Sequence, residues 1–405
     1  MSTETVGLIG IGILVVLLFA RMWIGMAMLV IGLVGYAYLI DWGRGFSIAG
    51  SVPYSTIAFY PISALPLFIL MGIVLSDSGV STDLYNTAHK WFGQFRGGLA
   101  IATVVACAAL AAIMGNSVAE AVTMGKVAVP EMRKYKYDDS LSSASVAAGG
   151  TLGILIPPSM GFILYGILTE QSVGALFLAG ILPGLLLTGL YVLAVLFIVA
   201  RHPEKAPPGP KPPFREKMVS LKYTWHTIAL FTLVLGGIYG GIFTPTEAGA
   251  IGAFGAIVIA FISRKLTLKT LFGSLRETTQ STGMVIVMIV GAFVFMKFLA
   301  VSRLTFEMAE WISALTLSPY VIFAGIVVLY IILGMFLDIM ACIILTIPVI
   351  YPIILALGFD PIWYGVVMVM IAEMGMITPP VGIIVFALAG VTDVPLYTIF
   401  RGVVP

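Results

Sequence analysis

Charged side chains are scarce, with 21 Lys and Arg and 19 Asp and Glu among 405 residues, or 10% of the chain. A water-soluble domain carries roughly 25%, and 60% of these residues are hydrophobic with a mean hydropathy of +1.10, so a soluble globule is excluded. Cysteine is nearly absent. Cys107 and Cys342 sit far apart in apolar runs, which rules out a disulfide framework and leaves them as packing residues. The three histidines, His89, His202 and His226, are scattered, so no His-based metal site is expected. HExxH and GxSxG elements are missing, and with them the intramembrane-hydrolase chemistry that isolated acids could suggest. The first residues carry Glu4 but no base before the apolar run 6–20, unlike a cleaved signal peptide, so that run is expected to be a first spanning helix. A net charge of +2 offers no basic surface for nucleic acid, and none is expected as a partner.

Long apolar runs are abundant. A spanning helix needs about 20 apolar residues, and candidates fall at 6–20, 22–40, 56–76, 140–168, 173–200, 225–243, 247–263, 280–300 and 363–390. The fold class is all-α, a multi-pass membrane protein bathed in lipid. Two runs, 99–130 and 320–352, are too long for one span and too short for two. Each has a polar centre, Gly115-Asn116-Ser117 in one and Asp338 in the other, and both are expected to be re-entrant helical hairpins. With hairpins there, 18 of the 21 basic residues fall on one side, leaving only Arg44, Lys297 and Arg303 on the other. The positive-inside rule makes the rich side cytoplasmic and puts the N-terminus outside.

The segment 201–222 opens with six prolines between 203 and 213, expected as an extended cytoplasmic linker between two halves. Stretches 78–96 and 302–316 mix charge with Trp91 and Trp311, as helices lying along the interface would. The organisation is then scaffold helices with an arm (1–98), a first core (99–200), the linker, a second scaffold with its arm (223–317) and a second core (318–405).

The two cores look like copies. Shifting the sequence by 222 residues places Asn116 on Asp338, Asp138 on Asp360 and Gly153 on Gly375. It also places Pro130, Pro157, Pro158 and Pro183 on Pro352, Pro379, Pro380 and Pro405. An odd number of expected crossings separates the hairpins, so the second copy should be inverted, the pattern of secondary transporters. Pro183 leads into a helix to about 200, whereas Pro405 ends the sequence, so one last span is expected to be missing.

Paired prolines in an apolar span delete donors, and the helix must open there. Freed carbonyls in lipid need a partner, which a cation supplies, and each half-helix N-terminus favours an anion. Na⁺ is the expected coupling ion, and no other cofactor is implied. Its candidate ligands are Gly115, Asn116, Ser117, Gly153 and Pro157 in one half and Gly334, Asp338, Gly375, Thr378 and Pro379 in the other. Asn116, Ser117, Thr151, Ser159, Thr378 and Gly382 are the candidate substrate contacts. Glu120, Glu170, Glu247 and Glu373 are further acids near the membrane; Glu247 follows Pro245-Thr246 as a helix-capping acid would, and Glu373 is either functional or simply protonated.

The stretches Gly150–Ser159, Phe243–Ala250, Gly334–Asp338 and Gly375–Gly382 together resemble the large membrane subunit of tripartite ATP-independent periplasmic (TRAP) transporters. The resemblance implies sodium-driven uptake of an organic acid, such as a C4-dicarboxylate or a sialic acid, across the bacterial inner membrane. It also implies delivery by a periplasmic substrate-binding protein, a small four-helix membrane subunit as partner, and an elevator-like motion of the hairpin-bearing core. A stand-alone sodium/carboxylate symporter without a binding protein is the alternative.

Overall fold

The computed structural model describes residues 2–314 and 317–405, and every regular element among them is helical. The first half runs α1 (Thr3–Phe19), α2 (Ile24–Leu39), α3 (Trp42–Ile57), α4 (Ala64–Asp77), α5 (Val80–Phe92), α6 (Gly98–Met114), α7 (Ser117–Lys134), α8 (Asp139–Gly150), α9 (Met160–Thr169) and α10 (Val173–Arg201). The second runs α11 (Phe214–Tyr239), α12 (Pro245–Ile262), α13 (Leu268–Ser302), α14 (Leu304–Ala314), α15 (Pro319–Phe336), α16 (Ile339–Ala356), α17 (Pro361–Met376), α18 (Ile383–Thr392) and α19 (Leu396–Val403). Among the described residues seven helical stretches are long and apolar enough to cross a membrane, including both α15 and α16.

The internal shift of 222 residues extends well beyond the breakers. It carries α2 onto α12, α7 onto α16, α8 onto α17 and α9 onto α18, with bounds agreeing within a few residues. Contacts follow the same rule. α2 packs along α13 and α4 along α12; α7 touches α18 and α9 touches α16; α8 touches α19 and α10 touches α17. In each pair the shift exchanges the partners, as a two-fold relation between copies requires.

Small residues make these contacts. Between helices in lipid no hydrophobic drive remains, so close backbone approach and dispersion must hold the pair. A Cβ on Gly291 of α13 would collide with the Gly25 carbonyl oxygen of α2, and one on Gly32 would fall 2.8 Å from the Phe295 nitrogen. A frame of α1–α4 and α11–α13 results, against which the remaining helices pack.

Several expectations change in detail. Residues 42–57 form α3, missed by hydropathy because Arg44, Ser47, Ser51 and Pro53 interrupt it, although Gly45, Ile48, Val52 and Thr56 are buried at helical spacing. The proline-rich linker is shorter than expected, since α11 begins at Phe214, and it is anchored to the first half. The Asp138 and Gly209 amides donate to Lys205 and Gly93 carbonyls at 2.9 Å, and Ala206 is fully buried. α13 starts at Leu268 rather than 280 because a Thr267–Thr270 capping box opens it in polar sequence. The expected arms are α5 and α14; Leu315 and Thr316 of the second, like Met1, lie outside the described residues.

Gly291→Ala is expected to lower the thermal stability of the purified protein by about 1–3 kcal/mol through forced overpacking. Gly283→Ala on the same helix, with nothing within 4 Å of the added carbon, should leave the melting transition unchanged or slightly raised. Equal transitions for the two variants would show that close α2–α13 approach is not limiting.

Candidate functional site

The site is assembled from helix ends. α6 stops at Gly115, whose φ of 58° is one that glycine adopts freely, and the chain reverses at once into α7. Asn116 caps α7, its Oδ1 accepting from the Ala119 amide at 2.9 Å. The tip rests on the first break: a Cβ at Gly115 would lie 3.1 Å from the Pro158 carbonyl oxygen. That break opens as expected, with α8 ending at Gly150, a single turn at Thr151–Gly153, irregular backbone to Ser159, and α9 beginning at Met160. Ser159 caps α9 by accepting from the Phe162 amide at 3.2 Å.

The second half repeats the arrangement. α15 ends at Phe336 and Asp338 caps α16, its Oδ1 accepting from the Ala341 amide at 2.9 Å. α17 stops at Met376 and α18 resumes at Ile383, and the Gly382 amide donates to the Met335 carbonyl at 3.1 Å, tying break to hairpin. Gly334 and Gly375 face each other so closely that a Cβ on Gly375 would lie 2.8 Å from the Gly334 Cα. The Pro157-Pro158 and Pro379-Pro380 bonds are both cis.

The halves then join. Ser117, first residue of α7, donates through Oγ to Glu373 Oε1 of α17 at 2.6 Å. Glu120, one turn further along α7, is fully buried, and its Oε2 lies where a Gly153 side chain would be, 2.7 Å from a built Cβ. Among the described residues, neither Glu120 oxygen nor Glu373 Oε2 has a hydrogen-bond partner. Burying an unpaired carboxylate costs several kcal/mol, so this locus demands a cation or a proton. Thr151 and Ser159 are buried and already bonded, Thr151 to Tyr191 at 2.9 Å, and Thr378 donates to the Met374 carbonyl.

Both tips open into one cavity of ≈ 430 Å³, large enough for a small organic molecule, between the hairpins and the frame helices α4 and α13. Asn116, Thr123 and Asp338 line it from the hairpins, and Asp77, Glu277 and Ser281 from the frame. Ser117, Thr151, Ser159, Thr378 and Gly382 do not line it. Each cap uses one oxygen, which leaves the Asn116 amide nitrogen and the second Asp338 oxygen for a bound group. Glu120 and Glu373 stood among the acids of the sequence but outside its candidate site, and Asp77 and Glu277 went unnoticed. An acid one turn past a hairpin tip, and another within an apolar span, were the available signals.

The family model of the DctM component of tripartite ATP-independent periplasmic transporters matches residues 11–405, which takes in both hairpins and both breaks. The chain belongs to that family. It is a membrane transporter permease and not an enzyme. Similar proteins include the C4-dicarboxylate TRAP transporter large permease protein DctM of Pseudomonas aeruginosa, 38% identical over 87% of this chain and 82% of that one. Another is the sialic acid TRAP transporter large permease protein SiaM of Vibrio cholerae, 31% identical over 96% and 90%. The crystal structure of the Alcanivorax borkumensis YdaH transporter matches with a TM-score of 0.65 over 91% of this chain and 86% of that one. At 16% identity it shows likeness of fold alone.

In this DctM-family chain the Ser117–Glu373 bond should couple the two halves energetically. A double-mutant cycle of Ser117→Ala and Glu373→Leu, read by thermal unfolding in detergent, is expected to give a coupling of about 1–3 kcal/mol, as for a buried hydrogen bond to an acid. Additive effects would show that the contact contributes nothing to holding the halves together.

Proposed function

We propose that this permease imports an organic acid together with Na⁺ across the bacterial inner membrane, the acid being delivered by a periplasmic binding protein. The observation that carries the reading is the convergence of both hairpin tips on one cavity, each tip seated on its own opened helix. Relatives named for C4-dicarboxylates and sialic acid support a carboxylate as the substrate class. The family's tripartite description supports two partners, a binding protein and a small membrane subunit.

Na⁺ is placed at the two breaks, with Gly115, Asn116, Ser117, Gly153 and Pro157 around one ion and Gly334, Asp338, Gly375, Thr378 and Pro379 around the other. The unpartnered oxygens of Glu120 and Glu373 beside the first break favour a cation there. The substrate sits in the cavity between the tips.

The exchanged helix contacts fit two copies in opposite orientations, the arrangement produced when the two-fold axis lies in the membrane. Both hairpin turns meet at one cavity rather than at opposite faces of the membrane, which favours re-entrant hairpins. The core of α6–α10 and α15–α19 then moves as a body against the frame, with α5 and α14 as its arms. The basic loops lie in the cytoplasm and the N-terminus outside.

The test is uptake of labelled succinate and N-acetylneuraminate into vesicles holding the permease, its small subunit and the matched binding protein. Uptake is expected to fall to background when K⁺ replaces Na⁺. Asp338→Ala should reduce it at least about tenfold, the equivalent of 1.4 kcal/mol. Undiminished transport in K⁺ would refute sodium coupling, and a fully active Asp338→Ala would remove that residue from the site.

A further inference from the structure

A second cleft, of ≈ 590 Å³, lies at the other end of the frame from Asp77 and Glu277. Its walls include Ser55 and Thr56 of α3, Glu170 after α9, Lys297 of α13 and Tyr351 of α16. Asp77 at the end of α4 accepts from Ser274 at the start of α13 at 2.7 Å, so those helices run antiparallel. Phe59, before α4, accordingly meets the far part of α13 at Phe293 in the lining of this cleft.

Three observations assign the cleft a role. First, the 222-residue shift carries Ser55 onto Glu277 and Phe59 onto Ser281, both of which line the central cavity. The cleft thus holds, on one side of the molecule, the position that the cavity mouth holds on the other. Second, α13 lines both spaces, with Glu277 to Met288 in the cavity and Phe293 to Ala300 in the cleft. Only the buried turn Ile289–Ala292 separates them. Third, Lys297 is a charged residue in a long apolar stretch and, among the described residues, enters no ion pair, even with Glu170 across the cleft. An ammonium in the last turns of an apolar helix, facing a cleft and not an acid, suits an anionic ligand.

We propose that this cleft is the entry vestibule for the anionic substrate, with the Lys297 ammonium receiving a carboxylate before it passes along α13 to the hairpin tips. The assignment rests on the organic-acid reading above. Hydroxyls complete the receptor. Ser55 and Thr56 stand on the α3 wall, and Tyr351, whose oxygen already accepts from Gln171 Nε2 at 3.1 Å, keeps its own proton to donate. The charges differ at the two ends of the path, the cleft setting Lys297 against Glu170 and the cavity presenting acids alone among its charged lining residues. A lysine attracts the carboxylate at entry, while Asp77 and Glu277 repel it at the exit and hinder its return.

Vesicle uptake of succinate and N-acetylneuraminate, presented on the matched binding protein, tests the assignment. Lys297→Met is expected to raise the half-saturating concentration about tenfold, the worth of one hydrogen bond to a charged group, with a smaller change in maximal rate. Lys297→Arg should retain most of the wild-type behaviour. The deciding variant is Lys297→Cys, which separates charge from folding because the same protein is assayed before and after modification; Cys107 and Cys342 are buried. A 2-aminoethyl thiosulfonate reagent, which rebuilds a lysine-like amine, should restore uptake, whereas methyl and sulfonatoethyl reagents should not. Restoration by the methyl adduct, or wild-type kinetics in Lys297→Met, would overturn the vestibule. Failure of the wild type itself to take up either acid with Na⁺ would instead overturn the organic-acid reading.

Discussion

A backbone group at membrane depth must find a partner inside the protein, and the two places where this chain gives up its helix govern the rest of the fold. Paired prolines remove donors at 157–158 and 379–380, freeing carbonyls that lipid cannot serve. The structure surrounds each opening with a hairpin. Gly115 packs closely on Pro158, and the Gly382 amide donates to the Met335 carbonyl, so each tip is seated against its break. The two solutions are unequal. All of 151–159 is buried, whereas Pro379 and Pro380 are exposed, so the first break is sealed and the second stands nearer a surface.

Duplication explains the economy of the frame. When two copies are related by a two-fold, any surface that helix α2 offers to α13 is matched by one that α12 offers to α4, so one solution to close packing serves twice. Glycines carry it because dispersion at short range is the attraction left between helices in lipid. Positions that must break or cap a helix are retained across the copies: Asn116, Asp338 and Asp360 cap through Oδ1 to the third amide onward, and Asp138 caps its helix through Oδ1 to the second. Those caps account for the alignment of the residues without any ligand. A role in binding has to come from where the tips are placed.

Much of this was legible in the sequence, since hydropathy marks spans and Pro-Pro marks breaks wherever they fall. Both hairpins, both breaks and the register of the repeat could be read directly. What escaped was carried by position in space. α3 is amphipathic and interrupted by Pro53, so an apolar-run criterion passes over it. Glu120 shifts onto Cys342 and Glu373 onto Thr151, so a self-comparison seeking matches ignores both acids. Their significance arises only when Ser117 meets Glu373 across 256 residues and Glu120 folds against Gly153. Asp77 and Glu277 were invisible for the same reason: neither is near a motif, and the cavity brings them together.

The charge around the cavity bears directly on coupling. Among the described residues Asp77, Glu277 and Asp338 line it and no lysine or arginine does, while Glu120 and Glu373 lie buried just behind. An organic acid entering such a space on its own meets like charge at close range, where reduced dielectric magnifies repulsion. Helix N-termini at α7, α9 and α16 offset part of this, each contributing about half a positive charge at most. In the proposed function, bound cations supply the remainder. In the proposed cycle sodium binding is therefore a precondition for binding the anion, because occupied breaks convert an acid-lined cavity into one an acid can tolerate. Coupling needs no separate gate under this argument: emptying of the ion sites toward the cytoplasm restores the repulsion and drives the substrate out past Asp77 and Glu277.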